Sequence, residues 1–401
     1  MYVSAQHHSS LLCFKFKRRR VDWRILPLLG ALYALSLIDR ANIGVELSIG
    51  SRYSIVHASI SSHTPYCSEL PSNICLRAFG VLIAWGAVQL GMGFVSSWEY
   101  LALCRALLGT FEAGLLPATA FLVSTWYKRH EVQKKLAGLY MTSILAGGFS
   151  SIFAYALSRL EGKGGTVTII FGATSWIYIP DFPDRNDFFT AEETTLVLQR
   201  IEEDRGDSLP DPIKGKVLLH LRDWKIWIFF LSMILSGMGW SIETSLLLAI
   251  SVMLFAWLSD IYHTRALFIA MQTLMTMIGL VLTAYARLPV PRYIGTFLAG
   301  AGSTGSITGI LAYASNNSVS HSKRAVTMAI IVSFGGIGGI IATTICRQQD
   351  SPNYIPGMIA TILLQALLLF LLGILTAYFR YQNKMKSRGG GLVPGTFLYT
   401  L

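Results

Sequence analysis

The chain has 401 residues, of which 53% are hydrophobic and only 14% charged, against roughly 25% charged residues in an ordinary soluble domain. A formal charge of +11 could indicate nucleic acid, but the basic residues fall in short clusters between apolar runs. That is the pattern of a multi-spanning membrane protein with cytosolic basic loops, so nucleic acid is excluded as a partner and the lipid bilayer is the expected solvent. Five cysteines, Cys13, Cys67, Cys75, Cys104 and Cys346, show neither zinc nor disulfide spacing, and neither a metal nor a cofactor is expected.

In chain order, residues 1–20 form a basic tail ending in Arg18, Arg19 and Arg20, with no cleavable leader ahead of it. Apolar segments follow at Ile25–Gly44, Val81–Ser97, Tyr100–Thr125, Leu136–Leu157, Trp224–Leu258, Ala266–Ala286, Tyr293–Ala314, Ala325–Cys346 and Ile355–Tyr378. Basic clusters at Lys128–Arg129–Lys134–Lys135, at Lys323–Arg324 and after the last segment belong on the cytosolic side. That polarity requires two weaker stretches, Tyr53–Phe79 and Gly165–Pro180, to cross as well. The second, at about 16 residues, would span only about 24 Å of a 30 Å core. The run Trp224–Leu258 is too long for one crossing and short for two, and reads as two compressed helices with a turn near Gly239–Glu243.

The sum is twelve crossings with both termini cytosolic: an N-terminal bundle over 21–180, a polar middle over 181–223, a C-terminal bundle over 224–385 and a tail over 386–401. The polar middle holds 11 of the 22 acidic residues, and Thr190 with Glu193 forms a capping box that opens a solvated helix there. A weak repeat relates the halves, because Asp22-Trp23-Arg24-Ile25 opens the first and Asp223-Trp224-Lys225-Ile226 the second. Parallel halves of this kind are a transporter architecture.

Four ionisable residues sit inside apolar segments, Asp39, Arg40, Arg105 and Glu112. A charge near the bilayer centre costs at least about 2.5 to 3.5 kcal/mol and ordinarily lines a cavity or pairs. Asp39 lies about 21 Å and Arg105 about 10 Å into oppositely directed helices, nearly the same depth, and Glu112 is seven residues from Arg105 on one face. A guanidinium fork suits a carboxylate, and a carboxyl group in a cavity titrates nearer neutrality. Arg40 and Arg105 are therefore candidate anion ligands, Asp39 and Glu112 candidate proton carriers. The alternative is a pair of buried ion pairs that fix helix register. Asp260 and Arg265 flank a turn where charge pairing could lock the inward face, or could serve an ordinary loop. The glycine runs at 300–309 and 335–339 suit close helix packing or, alternatively, a gating hinge. Asn316-Asn317-Ser318 matches a glycosylation sequon but falls on the predicted cytosolic side. Motifs of ATP motors, serine nucleophiles and zinc proteases are missing, so the chain reads as no enzyme.

Several of these residues carry a resemblance. Leu35-Ser36-Leu37-Ile38-Asp39-Arg40-Ala41-Asn42-Ile43-Gly44, Pro71-Ser72-Asn73, Cys104-Arg105 through Glu112-Ala113-Gly114, Trp126-Tyr127-Lys128-Arg129, Pro180-Asp181-Phe182-Pro183, Ala256-Trp257-Leu258-Ser259-Asp260 and Lys323-Arg324-Ala325 resemble the anion:cation symporter family of the major facilitator superfamily. Fungal allantoate-permease-like members are the most similar in pattern. The resemblance implies an all-α membrane protein of the major facilitator fold, two six-helix bundles, and proton-coupled symport of a small organic anion across the plasma membrane by a monomer. It associates the positions of Asp39 and Glu112 with protons and those of Arg40 and Arg105 with the anion. Against that pattern helices 2, 6 and 7–8 are shortened. Two other functions stay open: a non-transporting remnant or transporter-like sensor, and efflux of a secondary metabolite.

Overall fold

A computed structural model describes residues 22, 26, 27, 29–31, 88, 100, 103, 104, 107, 115–148, 194, 195, 199, 204, 217–237, 246–345, 354–388 and 398–401. The elements are α1 (Leu115–Trp126), α2 (Val132–Gly148), α3 (Val217–Leu221), α4 (Trp224–Gly237), α5 (Leu246–Tyr262), α6 (Arg265–Tyr285), α7 (Pro289–Asn316), α8 (His321–Ile345) and α9 (Ile355–Arg388).

Charge and capping set where these helices begin. The apolar run starts at Leu136, yet α2 starts four residues earlier, because its first turn projects beyond the apolar layer and can carry Lys134 and Lys135. Asp223 opens α4 by accepting the Lys225 N–H on Oδ1 at 3.1 Å, and α7 starts on Pro289, whose missing N–H is no loss at that position. At the other end α9 runs ten residues past Tyr378 to Arg388, carrying Lys384, Lys386 and Arg388 out of the apolar layer.

The exposed face of α6 is apolar, and its buried face mixes polar with apolar side chains. Leu267, Met271, Leu274, Ile278, Val281 and Tyr285 are exposed at alternating spacings of four and three residues, while Gln272, Thr273, Thr276 and Gly279 are buried. α9 repeats this, exposing Ile359, Leu363, Leu367, Phe370 and Ile374 and burying Thr361 and Gln365. Such faces are stable only against lipid, since an apolar surface of this extent in water would aggregate. α6, α7 and α9 are long and apolar enough to cross a membrane.

By contrast α4 and α5 have 14 and 17 residues, about 21 and 26 Å against a core of about 30 Å. The expected division of the 224–258 run into two short helices is present. Its turn near 239–243 lies outside the described residues, and α5 continues to Tyr262. Even without a turn, the roughly 40 residues from Trp224 to Tyr262 would reach about 60 Å.

Within the second half α6 packs along α7, and α4 against α8. Glycine permits both approaches: a Cβ on Gly279 would stand 2.4 Å from the backbone nitrogen of Ala299, and one on Gly338 2.4 Å from the Ile234 carbonyl oxygen. Gly338, in the 335–339 run, thus serves packing, as does Gly302 in the 300–309 run, where a Cβ would stand 2.4 Å from the Gln272 carbonyl oxygen. The halves meet where α2 lies on α5 and α7 and where α1 lies on α8. Small residues bring α2 and α5 together, with Ala137, Val252 and Ala256 fully buried. The main core crosses this junction, joining Val123, Trp126, Leu136 and Tyr140 to Ile269, Ile310, Tyr313, Met328 and Phe379.

Candidate functional site

Asp39, Arg40, Arg105 and Glu112 lie outside the described residues, as do Thr190 and Glu193; within the segment that the capping box opens, Thr194, Thr195, Gln199 and Asp204 are helical. Asp260 and Arg265 are described, and the structure brings them together in a network at the end of the bundle that the basic clusters mark as cytosolic.

α5 ends at Tyr262, and His263 takes the left-handed conformation (φ 56°) that turns the chain sharply into α6. The turn puts Asp260, in the last turn of α5, beside Arg265, the first residue of α6. Arg265 is fully buried and its Nη2 lies 2.7 Å from Asp260 Oδ1. A buried arginine is tolerable only if most of its donors are matched; here the other half of the protein matches Nη1 and Nη2, while Nε has no hydrogen-bond partner. Nη2 also donates to the Arg129 carbonyl at 2.6 Å, and Nη1 donates to Gln133 Oε1.

Arg129 is in the turn between α1 and α2, and Gln133 in the first turn of α2. Asp260 Oδ2 accepts the Lys134 N–H at 3.0 Å, so an acid from one half caps a helix of the other, where the helix dipole favours negative charge. Asn316, the last residue of α7, donates from Nδ2 to the same Arg129 carbonyl at 2.8 Å, and Ser259 Oγ donates to Gln133 Oε1 at 2.8 Å. The turn at 129 is thereby gripped from α5, α6 and α7 together.

Above this network the rings of His130 and His263, one from each half, stand 4.0 Å apart. Burial, the facing His263 ring and the Arg265 guanidinium lower the His130 pKa to about 4, so it is neutral at ordinary pH and adds no positive charge to a site already crowded with cations.

The repeat found in the sequence has a structural counterpart. Asp22 accepts from Lys135 Nζ at 2.7 Å and from Tyr127 Oη at 2.6 Å. Asp223, at the matching position of the second half, pairs with Lys323 in the first turn of α8 and with Lys225 at 3.5 Å. Burial alone would raise the Asp223 pKa, but the Lys323 hydrogen bond and charge, with the Lys225 N–H and charge, hold it below the usual carboxylate value. Asp22 is thus fastened to Lys135 in the first turn of α2, and Asp223 fastens the start of α4 to the first turn of α8.

Sequence reasoning singled out Asp260 and Arg265 but not Arg129, Gln133 or Asn316. Lys128 and Arg129 served to assign topology and to carry the resemblance, although a basic turn opposite an acidic one was a usable signal. Asn316 entered only as part of a discounted sequon. It and Asn317 are buried and their amides are bonded within the fold, which leaves neither available for a glycan. Among the described residues no group of three or more His, Cys, Asp or Glu is placed to hold a metal ion.

The fold is the all-α major facilitator fold. The chain superposes on the proton:xylose symporter XylE bound to 6-bromo-6-deoxy-D-glucose with a TM-score of 0.66, at 12% identity, covering 94% of this chain and 98% of that one. On the human organic anion transporter MFSD10 the TM-score is 0.59, at 12% identity, over 88% and 99%. The family model described as Major Facilitator Superfamily matches residues 77–250. The chain is 26% identical to the MFS-type transporter efuF of Hormonema carpetanum over 94% of this chain and 87% of that protein. It is 24% identical to the high-affinity nicotinic acid transporter of Saccharomyces cerevisiae over 92% and 78%. Together these similarities show the major facilitator fold, and the chain resembles multi-pass transporters of that superfamily over most of its length. The alignment with efuF extends over 431 positions, more than the 401 residues of this chain, so that relative carries residues inside the matched region that have no counterpart here.

Proposed function

We propose that the chain is a proton-coupled symporter of a small organic anion, acting as a monomer in the plasma membrane with both termini cytosolic. The observation that carries this reading is the network in which Asp260 and Arg265 of the second half hold the 129–134 turn of the first. A transporter that exposes its site to alternate sides needs contacts between its halves that can be made and broken. Here, beside the apolar core that crosses the junction, they include hydrogen bonds concentrated at one end of the bundle, with the Asp260–Arg265 ion pair holding the second half's groups in place. Asp260 and Arg265 are accordingly assigned to the gate. Arg40 and Arg105 are assigned to the anion, and Asp39 and Glu112 to the proton.

The names of two similar proteins support the class of cargo, and those of two others the coupling to protons. One relative is a nicotinic acid transporter, one structural neighbour an organic anion transporter, and two others are proton symporters of sugars. The test is uptake of radiolabelled nicotinate and a panel of other small carboxylates by the full chain in a host lacking such uptake. Uptake of one of them should rise as external pH falls, and Arg105→Gln should lower it by about tenfold to a hundredfold, the worth of one charge-assisted hydrogen bond pair. PH-dependent uptake that Arg105→Gln leaves unchanged would overturn the site assignment.

A second reading has its own observation. The relatives' additional residues inside the matched region, together with the brevity of the 224–262 run for two crossings, favour a transporter-like protein that binds without moving cargo. Saturable nicotinate binding by the purified protein with no flux in proteoliposomes would select it.

A further inference from the structure

The four residues Leu398–Leu401 return to the gate and are bonded there along their whole length. All four carbonyls accept a hydrogen bond: Leu398 from Arg129 Nη1 at 2.9 Å, Tyr399 from Asn383 Nδ2 at 2.7 Å, Thr400 from Asn317 Nδ2 at 3.3 Å, and Leu401 from the Arg265 N–H at 2.6 Å. In return the Tyr399 N–H donates to Asn383 Oδ1 and the Thr400 N–H to Asn317 Oδ1, each at 2.9 Å. The Tyr399 ring lies flat on Phe379, with centroids 4.5 Å apart and planes 8° apart, and its hydroxyl meets Lys225 Nζ at 3.3 Å. Tyr399 and Leu401 also pack against the main core.

The places it touches are the helix ends that form the gate. Arg265 is the first residue of α6, whose preceding Thr264 supplies no side-chain cap. Its N–H is one of the donors a helix start leaves open, and Leu401 fills it. Asn317 closes the end of α7 beside Asn316. Lys225, Asn317, Phe379, Asn383 and Arg265 all belong to the second half, whereas Arg129 belongs to the first. The segment is therefore anchored on one half and reaches across to the other. It reaches the residue whose carbonyl Arg265 and Asn316 already hold.

We propose that Leu398–Leu401 is a strap that locks this end of the transporter closed and must let go of Arg129 before the halves can part there. It is an autoinhibitory contact for the gate proposed above. It rests on that gate and not on the identity of the cargo.

The test is hydrogen exchange followed by mass spectrometry on the full chain in lipid nanodiscs. The variants are Thr400→Pro, which removes the N–H bound to Asn317, and Thr400→Pro combined with Tyr399→Ala. Both changes are outside the helices; if the double variant is not recovered folded, the single one carries the test. Amides in peptides covering 127–135 and 263–268 should exchange about tenfold faster or more than in the unaltered chain, the loss expected when one or two hydrogen bonds are removed. Acceleration at 263–268 alone would show a helix cap that straps nothing across, and would overturn the proposal. Unchanged exchange at both would overturn it as well. Arg265→Lys, measured alongside, should accelerate 127–135 through the gate itself, so an inert gate and an inert strap give different results. No cargo is present in any arm, and failure of the symport reading leaves the outcome untouched.

Discussion

Replacing Arg265 with lysine keeps the charge and discards the fork. Arg265 holds three partners from two nitrogens: Asp260 Oδ1 at 2.7 Å and the Arg129 carbonyl at 2.6 Å through Nη2, and Gln133 Oε1 through Nη1. A lysine ammonium is a single point on a flexible stem and cannot reach both an acid on its own half and two acceptors across the gate. With Asp260 the nearest charge, the bonds lost are those to Arg129 and Gln133. A hydrogen bond from a charged donor contributes about 1.5 to 3 kcal/mol, and a lysine re-sited in the gap recovers part of two such bonds. The net loss is about 2 to 3 kcal/mol, confined to the closed gate because the open one makes neither contact. At about 1.4 kcal/mol per factor of ten, the open population should rise between about twentyfold and a hundredfold.

Ser259 provides the readout. It is fully buried and its hydroxyl touches Gln133 across the gate, so a thiol there is reachable only when the halves separate. Ser259→Cys, in a chain whose five native cysteines are replaced by serine, should react slowly with a membrane-impermeant maleimide. Adding Arg265→Lys should raise that rate by the same twentyfold to hundredfold, and only when reagent is supplied on the face bearing the gate. An unchanged rate in folded protein would refute the assignment of the closing contacts to Arg265. Acceleration from the extracellular face would refute the orientation drawn from the basic clusters.

Other outcomes follow from the same contacts. Asp22→Asn and Asp223→Asn should each lower thermal stability by about 1 to 2 kcal/mol, the worth of a half-buried charge-assisted hydrogen bond. A double-mutant cycle of Asp223→Asn with Lys323→Met should recover most of that as coupling, and additive losses would show that the pair contributes nothing. His130 titrates near 4 when folded and near 6.5 when free, so between those values the unfolded chain binds the extra proton. The stability that neutral His130 contributes is complete above about 6.5 and is lost as pH falls toward 4. The unfolding midpoint should fall across that window, and His130→Asn should flatten this part of the profile. Gly279→Ala would drive a methyl group to 2.4 Å from the Ala299 nitrogen and should cost about 1 to 3 kcal/mol by overpacking. Gly373→Ala, with nothing within 4 Å, should be neutral or stabilising; equal loss of folded yield in the two would contradict the close approach of α6 and α7.

What the sequence made legible depended on range. The lipid-facing helices were plain because hydropathy is a local property, and their ends differ most where polar first or last turns extend beyond the apolar layer, as at Lys134 and at Lys384–Arg388. The repeat of Asp22 and Asp223 was visible as a pattern, but its purpose was not. Each acid finds its lysine about one hundred residues away, Asp22 at Lys135 and Asp223 at Lys323, and no local signal points there. Asp260 and Arg265 were legible because opposite charges five residues apart at a helical turn are a local anomaly.

Their functional partners were not, for a chemical reason. Arg265 and Asn316 grip the Arg129 carbonyl and Asp260 takes the Lys134 N–H, and these are backbone groups that every residue possesses. A contact made to the main chain leaves no residue type behind to mark it. The same holds for Leu398–Leu401, most of whose bonds are made by main-chain groups, the Tyr399 and Thr400 hydroxyls adding two. The gate and the strap are thus written largely in backbone, and substitutions at Arg129, Lys134 or Leu398 that preserve the main chain should be tolerated where those at Arg265, Asn316 and Asn317 are not. For Arg129 the exception is its side chain: Arg129→Ala keeps the carbonyl that the gate uses and deletes the guanidinium that the strap uses. That one substitution should leave the Arg265 contact in place while freeing Leu398, and it separates the two devices without disturbing a helix.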